Sequence, residues 1–229
     1  GVYYTPQYIV DYIVKNTVGK LVDGKTPKEI SKIRIVDPAC GSGSFLIGAY
    51  QYLLDFHKNY YSSNGKPSKG GKENTLTPEG HLTTAEKKRI LLNNIFGVDI
   101  DVNAVEVTKL SLLLKCMEGE TSASIAHQLS IFHERVLPTL DDNIKSGNSL
   151  IDTDFYDNQL DFGDEKKIKP FHWQKALSLL NANDKLSFII PNTSLANENA
   201  TKIRQIILEN YSLETIRVFK NRKTIVTLS

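Results

Sequence analysis

The segment IRIVDPACGSGSF, residues 33–45, decides the fold of this chain. It begins with a short, mostly apolar and β-branched run, which is typical of a strand buried on both faces of a parallel sheet. Pro38 cannot continue a central strand, and Gly41 and Gly43 then permit a tight turn whose backbone comes close to a ligand. Ser44 is positioned to cap a helix that begins at the next residue. This order presents N–H groups and a helix dipole to an anionic or zwitterionic group, so it predicts a cofactor-binding loop.

Two other nucleotide-binding loops have similar glycine-rich sequences. The dinucleotide fingerprint G-x-G-x-x-G requires glycine at position 46, where this chain has Leu46. A phosphate-loop pattern does occur at residues 19–26, but it needs a strand before it and a helix that opens at its lysine. The residues before it have helical spacing, and Pro27 follows it at once. Residues 19–26 are therefore predicted to form a solvent-exposed turn at a helix end.

The composition is that of a globular chain from a reducing compartment. Its 229 residues suit one large domain or one and a half, and its formal net charge of +2 gives only weak support for a polyanionic partner. Cys40 and Cys116 do not suggest a disulfide framework. The sequence contains no run as long as a membrane span and no signal-peptide pattern. Because the chain starts at Gly1 and its one methionine is Met117, we expect a fragment of a longer protein.

The N-terminal segment, residues 1–32, is predicted to be helical. Thr5 is positioned as an N-cap, with Pro6 in the first turn of the helix. The residues that follow at helical spacing are apolar: Ile9, Val10, Ile13, Val14 and Val18. A second short helix is predicted around residues 28–32, directly before the central strand.

The core domain is predicted to span residues 33–229. A helix with a broad apolar face is expected over residues 45–60. Ser, Gly, Lys, Asn and Pro then replace the apolar periodicity over about residues 62–80, which predicts a flexible surface loop. Thr83 and Glu86 have the spacing of a capping box for the next helix.

An acidic residue, Asp99, ends a second predicted strand at residues 95–100 and precedes a long helix at residues 102–117. In nucleotide-binding sheets an acid at the end of the second strand binds ribose hydroxyls, about 20 residues after the glycine turn. Asp99 lies 62 residues after Asp37, so the unit must contain an inserted loop and an extra helix. The alternative is that Asp99 only caps the helix after it. Its position after the strand favours ribose binding.

A third short strand is predicted within residues 143–151. Asn148 and Ser149 lie at its end, and the carboxyl ends of strands line the ligand crevice of a doubly wound sheet. These two residues either contact the base of a nucleoside-like ligand or form an Asx turn. The five histidines have no metal-ligand spacing with the cysteines, so no metal site is predicted.

The last part of the chain alternates between strand and helix patterns. Strands are predicted at residues 185–190, 213–219 and 224–228, with a helix over residues 200–209. Together with the earlier elements, this order predicts an α/β fold. The expected architecture is an open, doubly wound, mostly parallel sheet with helices on both faces.

Four segments, in order, resemble motifs of S-adenosylmethionine-dependent DNA adenine methyltransferases of restriction–modification systems. The similar group includes the type I modification subunits and the fused type II enzymes. Residues 37–45 resemble motif I, residues 1–6 motif X, residues 97–101 motif II and residues 144–150 motif III. Residues 186–192 resemble the strand that follows the catalytic motif. The resemblance therefore covers most of the chain.

The resemblance implies a set of residues that bind S-adenosylmethionine. They are Tyr4, Thr5, Asp37, Pro38, Ala39, Gly41, Gly43, Phe45, Asp99, Ile100, Asn148 and Ser149. Tyr4, Thr5 and the turn at residues 39–43 would hold the methionine end of the cofactor, and Asp37 would help to order that pocket. Asp99 would bind the ribose hydroxyls.

The same resemblance implies the remaining contacts and the reaction. Ile100 would pack on the adenine of the cofactor, and Asn148 would hydrogen-bond its edge. The family transfers a methyl group to the exocyclic amino group of an adenine that is flipped out of the DNA duplex. Double-stranded DNA, bound through the full-length protein, and a restriction or specificity domain or subunit are the expected partners. The expected location is the cytoplasm of a prokaryote.

One motif of the family is missing. The catalytic tetrapeptide, Asn/Asp-Pro-Pro-aromatic, should end a fourth strand, but the sequence contains no Pro-Pro and no strand-like run between residues 152 and 176. We therefore expect that a segment is missing near residues 176–177 and assign no catalytic residue. No target-recognition domain is evident either. The alternatives are a non-catalytic cofactor-binding module and a methyltransferase that acts on a different substrate.

Overall fold

The computed structural model describes residues 5–63, 75–120 and 137–148, together with the backbone of three strands between residues 186 and 228. Within these ranges, no helix has both the length and the apolar character needed to cross a membrane.

The N-terminal segment is helical, as predicted, but three helices precede the first strand where the sequence predicted two. They are α1 (Gln7–Asn16), α2 (Val18–Val22) and α3 (Pro27–Ile30). The predicted cap at Thr5 is wrong by one residue. Pro6 is the N-cap, because its extended backbone leaves its carbonyl to accept from the amides of Ile9 and Val10 at 3.0 and 3.3 Å. The division of the chain at residue 32 stays a prediction.

The first sheet is parallel and consists of β1 (Ile35–Asp37), β2 (Ile95–Asp99) and β3 (Ile144–Ser146), in that order across the sheet. Its strands are joined through the helices α4 (Ser44–Ser63), α5 (Thr84–Asn94) and α6 (Val102–Met117). Parallel neighbours require such crossover connections, and the result is an α/β arrangement. The α/β class is therefore confirmed, as are the helices predicted at residues 45–60, after Thr83 and at residues 102–117, although β3 is shorter than predicted. The helix predicted over residues 200–209 lies outside the described residues.

Helices α1 to α6 and the first sheet share a hydrophobic core. Its largest fully buried members include Leu46, Tyr50, Leu53, Ile90, Leu91, Ile95, Leu112 and Ile144. Helix α6 is apolar on its outer face as well, where Val107, Leu110 and Leu114 are exposed.

Two buried asparagines fix the ends of β1 and β2 that lie away from the glycine turn. The amide of Asn94 donates to the carbonyls of Ile30 and Ile33, at 2.8 and 2.7 Å. The amide of Asn143 donates to the carbonyls of Leu92 and Ile95, at 2.9 and 2.8 Å. Each amide bonds to two carbonyls that lie 48–64 residues away in the chain, so it joins separate segments at the beginnings of the strands.

The second sheet consists of β4 (Leu186–Pro191), β5 (Leu213–Val218) and β6 (Lys223–Leu228). Its order is β4-β6-β5, and both pairings of β6 are antiparallel. The three strands lie where the sequence predicted them. One antiparallel strand is compatible with the predicted, mostly parallel sheet, and the doubly wound arrangement of all strands stays a prediction. Only four residues separate β5 from β6, which is too short for a crossover, so these two neighbours must be antiparallel.

The segment predicted as a flexible loop, residues 62–80, is partly ordered. Helix α4 continues through Ser63, and Leu76 forms an antiparallel bridge with Leu82. Between them, the Gly80 amide donates to the Thr77 carbonyl at 3.0 Å, which closes a tight turn. The prediction is thus wrong for residues 62–63, which are helical, whereas residues 75–80 form a loop closed by this turn; residues 64–74 lie outside the described part.

Candidate cofactor-binding site

The turn after β1 is bonded to the neighbouring strand rather than extending freely into solvent. The Cys40 amide donates to the Val98 carbonyl at 2.9 Å, and the Gly43 amide donates to the Cys40 carbonyl at 2.8 Å. Helix α4 begins at Ser44, so Ser44 is the first helical residue and not the cap that the sequence predicted. The positive φ of Gly43, 81°, ends the turn one residue earlier than expected.

Glycine is required at two places in and beside this turn. Gly43 adopts a φ that other residues rarely adopt, and a Cβ there would lie 2.8 Å from Cγ2 of Thr108. A Cβ on Gly97 of β2 would lie 2.7 Å from Leu46 and 3.2 Å from Cys40. The missing side chain of Gly43 therefore lets the turn pack closely on Thr108, and that of Gly97 lets β2 pack closely on Leu46 and Cys40.

Asp99 joins the segments that follow the three parallel strands. Its Oδ2 accepts from the Gly41 amide at 2.8 Å, and its Oδ1 accepts from the Asp101 amide at 2.9 Å. The Asp99 carbonyl accepts from the Gly147 amide at 2.9 Å, which connects it to the end of β3. The alternative that Asp99 caps α6 is wrong, because Asp101 is the N-cap and accepts from the Asn103 amide.

Asp37 adds a second carboxyl group to the same turn. Its Oδ1 accepts from the Ala39 amide at 3.1 Å. Burial raises the pKa of Asp37 to about 6; the Ala39 N–H opposes this rise, and the nearby charge of Asp99 adds to it. Asp37 and Asp99 thus place two carboxyl groups beside one partly buried turn. Such a pair favours a cationic ligand, because a positive charge would stabilise the carboxylates.

Cys40 is buried beneath the turn and is not a candidate nucleophile. Burial, together with the charges of Asp37 and Asp99, raises the pKa of its thiol to about 12. The thiol therefore stays protonated and packs as a small apolar group against Gly97.

The other predicted site residues lie in several places. Phe45 packs on Ile9 and Ile13 of α1, so its side chain links the N-terminal helices to the turn. Ile100 is 48% exposed just after β2, and Asn148 is half-buried next to Gly147. Thr5 lies two residues ahead of α1.

The described residues thus bring Asp37, the 39–43 turn, Asp99 and the 147–148 segment to one edge of the parallel sheet. Tyr4 and residues 149–185, which include Ser149, lie outside the described residues. Residues 176–177, near which we expect the catalytic segment to be missing, also fall in this range. The described residues contain no group of three or more His, Cys, Asp and Glu that could hold a metal ion.

Sequence reasoning missed Thr108 of α6. Its hydroxyl donates to the Gly41 carbonyl at 2.8 Å, and its side chain is fully buried. The sequence does contain a signal for it. Thr108 is four residues from both Ala104 and Leu112, so helical periodicity places this polar side chain on the buried face of α6.

Comparison with known proteins identifies the family. A family model described as "MmeI, DNA-methyltransferase domain" matches residues 18–168. The type II restriction enzyme and methyltransferase RM.Eco57I of Escherichia coli is 41% identical over 150 residues, which cover 65% of this chain and 14% of that protein. The putative type II enzyme RM.MjaORFECS2P of Methanocaldococcus jannaschii is 33% identical over 188 residues, 66% of this chain and 14% of that protein. The chain therefore spans about a seventh of the length of these relatives.

Solved structures agree with the fold. The crystal structure of the type I restriction enzyme EcoKI M protein has a TM-score of 0.54 at 17% identity, over 99% of this chain and 43% of that one. The DrdV–DNA complex has a TM-score of 0.54 at 12% identity, over all of this chain and 26% of that one. These comparisons confirm the family that the sequence motifs indicated, the DNA methyltransferases of restriction–modification systems. Because the family match covers more than half of the chain and includes the turn after β1, Asp99 and Asn148, this chain belongs to the MmeI-type DNA-methyltransferase domain family.

Proposed function

We propose that this chain is the cofactor-binding part of a DNA adenine methyltransferase that uses S-adenosylmethionine. The observation that carries the proposal is the junction at Asp99. Its carboxylate accepts from the Gly41 amide of the glycine turn and from the Asp101 amide after β2, and its backbone carbonyl accepts from the Gly147 amide after β3. The adenine specificity is taken from relatives such as the adenine-specific methyltransferase BrxX of Escherichia coli, 28% identical over 149 residues.

The chemistry of the turn fits this cofactor. S-adenosylmethionine carries a sulfonium and an ammonium, and when bound it supplies the methyl group of the reaction. Asp37 and Asp99 supply the negative charge that favours such cations in a partly buried site. The amides in the first turn of α4 have no acceptor within the helix, so they are oriented to bind the carboxylate of the methionine end.

The ribose and adenine contacts follow from the same edge of the sheet. Asp99 already accepts two backbone amides, but a carboxylate has about four acceptor positions, so it retains capacity for ribose hydroxyls. Ile100 offers an exposed apolar side chain on which the adenine would pack. Asn148 would bond the adenine edge, and Tyr4, Thr5 and Ser149 would complete the pocket.

The residues of this chain would hold and orient the methyl donor, a role that lowers the barrier to transfer mainly through alignment. The acceptor amine needs polar groups from the catalytic segment, which we expect to be missing near residues 176–177. The full-length protein would supply this segment, the DNA contacts and a restriction or specificity part, in a prokaryotic cytoplasm.

Calorimetric titration with S-adenosylmethionine and S-adenosylhomocysteine tests the proposal directly. We expect both to bind and ATP and NAD not to bind. Asp99→Ala and Gly43→Val should each weaken binding; the loss of a charged acceptor at Asp99 corresponds to about 1.5–3 kcal/mol. Unchanged affinity in both variants would remove the site assignment.

A non-catalytic cofactor-binding module is the second candidate, and the absence of Pro-Pro from the sequence favours it. The genomic reading frame across residues 176–177 separates the two. A frame that encodes a Pro-Pro-aromatic insertion there supports the enzyme, whereas a continuous frame without it leaves only the binding module.

A further inference from the structure

Gly41 is held on both sides by side chains from remote parts of the chain. Its amide donates to Asp99, 58 residues away, and its carbonyl accepts from Thr108, 67 residues away. Asp99 lies at the end of β2 and Thr108 in the middle of α6, so two separate elements fix the two peptide groups on either side of one glycine.

The hydrogen bond of Thr108 is unusual for a helical threonine. A buried threonine in a helix normally donates to the carbonyl four residues earlier. Thr17, at the end of α1, shows this local pattern, with its hydroxyl 2.8 Å from the Ile13 carbonyl. Thr108 instead reaches out of its helix to the glycine turn. Its hydroxyl therefore stabilises the turn rather than α6.

The methyl group of Thr108 contacts the same turn at a second point. Cγ2 would lie only 2.8 Å from a Cβ at Gly43, so this methyl packs closely against the glycine that ends the turn. Thr108 is completely buried. A single side chain thus combines a hydrogen bond to Gly41 with packing on Gly43, two residues that are themselves in positive-φ conformations.

The bond to the Gly41 carbonyl also determines where an amide points. In a trans peptide the carbonyl of one residue and the N–H of the next point in opposite directions. With the Gly41 carbonyl directed at α6, the Ser42 N–H is directed away from α6. Loss of the Thr108 hydroxyl would allow this peptide group to rotate and would leave the buried carbonyl without its donor.

We propose that Thr108 is a positioning residue for the cofactor, one that holds the glycine turn in its binding conformation before the ligand arrives. The inference rests on the proposed function and extends it to a residue outside the family motifs. A turn that is already ordered loses less conformational entropy on binding, so Thr108 contributes to affinity without contacting the ligand.

The test compares Thr108→Val, which removes the hydroxyl and keeps the branched shape, with Thr108→Ser, which keeps the hydroxyl. Thr17→Val is the matched control, because it removes a buried hydroxyl of the same kind at the end of α1. We expect Thr108→Val to weaken S-adenosylhomocysteine binding about tenfold in calorimetry. Thr108→Ser and Thr17→Val should stay close to the wild-type affinity.

Hydrogen exchange of the amides in residues 39–46 provides a readout that does not need a ligand. Thr108→Val should speed exchange of these amides about tenfold, while Thr17→Val leaves them unchanged. If Thr108→Val does not fold, Thr108→Ala replaces it with the same expectation. Wild-type affinity and wild-type exchange in the hydroxyl-free variant would overturn the proposal, as would an equal loss in Thr108→Ser.

The two hypotheses fail in different ways. If the wild-type chain binds neither S-adenosylmethionine nor S-adenosylhomocysteine, the proposed function is wrong, and hydrogen exchange alone decides whether Thr108 orders the turn. If the wild-type chain binds and Thr108→Val shows both wild-type affinity and wild-type exchange, the proposed function stands and the positioning role is wrong.

Discussion

Two glycine turns of this molecule share a backbone conformation but differ in their surroundings. Gly43 and Gly24 have φ values of 81° and 68°, both in the left-handed region. A Cβ at Gly43 would meet Thr108 at 2.8 Å, whereas a Cβ at Gly24 would have nothing within 4 Å. The difference shows that a positive φ alone marks a turn, and that only one of these two turns, the one proposed to bind the cofactor, is enclosed by remote elements.

The turn at Gly24 belongs to the phosphate-loop pattern of residues 19–26, but its structural context is not that of a phosphate loop. Helix α2, not a strand, precedes it. The Thr26 hydroxyl accepts from the Glu29 amide, and the Glu29 carboxylate accepts from the Thr26 amide at 2.8 Å. The residue that would bind a metal ion in a true phosphate loop is therefore the cap of α3. The prediction of an exposed helix-end turn is confirmed for residues 23–26 and is wrong for residues 19–22, which belong to α2.

The largest contrast between the two turns is expected for valine substitutions. Gly43→Val combines a strained φ with overpacking against Thr108, and should lower the free energy of unfolding by about 2–5 kcal/mol. Gly24→Val has the strain alone, about 1–2 kcal/mol. Urea denaturation of both variants measures the difference. Equal destabilisation would mean that the contact with Thr108 does not constrain the turn.

Asp99→Ala should produce the next largest effect. It leaves the amides of Gly41 and Asp101 without their acceptor, which should lower the free energy of unfolding by about 1.5–3 kcal/mol. Asp101→Ala is the control; it removes the cap of α6, a loss of about 1 kcal/mol.

Urea denaturation and calorimetric titration together distinguish the two aspartates. Only Asp99→Ala should also reduce affinity for S-adenosylmethionine, because only Asp99 contacts the glycine turn. If Asp101→Ala reduces affinity as much as Asp99→Ala does, the beginning of α6, rather than the junction at Asp99, controls the site.

Local sequence patterns predicted the elements around the site well. The strand before Asp37, the glycine turn and the helix at residues 102–117 follow from apolar periodicity and from the special conformations of glycine and proline. The predicted ends of these elements were less accurate, as at Ser44, because moving a helix boundary by one residue hardly changes the apolar periodicity.

The contacts that build the site could not be predicted in this way. The bonds from Gly41 to Asp99 and Thr108 span 58 and 67 residues, and no local pattern encodes them. Strand direction is equally absent from periodicity, so the patterns did not identify β6 as the strand that pairs antiparallel. The four-residue connection between β5 and β6 was the one signal for it.

Titration of Asp37, beside the enclosed turn, should change the free energy of unfolding by less than the substitutions of Gly43 and Asp99 do. Its folded pKa of about 6 lies above the ordinary value of 3.8, so the native state binds the proton more tightly than the unfolded state. Stability from this group is therefore fully present below about pH 4 and is lost as the pH rises to about 6. Because the carboxyl group is partly exposed, we expect a change of about 1–2 kcal/mol.

Asp37→Asn isolates this contribution, since the amide has a similar shape and does not ionise. Urea denaturation of wild type and variant between pH 4 and pH 7.5 should show that the variant loses less stability across this range. Parallel curves for the two proteins would contradict a raised pKa at Asp37 and would weaken the argument for an enclosed negative site.

The smallest effects are expected at the open turn. Thr26→Ala removes the cap of α3 and should lower the free energy of unfolding by about 1 kcal/mol. Affinity for S-adenosylmethionine should not change, because Thr26 contacts its own helix and not the parallel sheet. Lys25→Ala should likewise leave cofactor affinity unchanged, and neither variant nor the wild type should bind ATP in calorimetry. ATP binding that Lys25→Ala abolished would show that an exposed glycine turn can form a site without enclosure, and the contrast between the two turns would then fail.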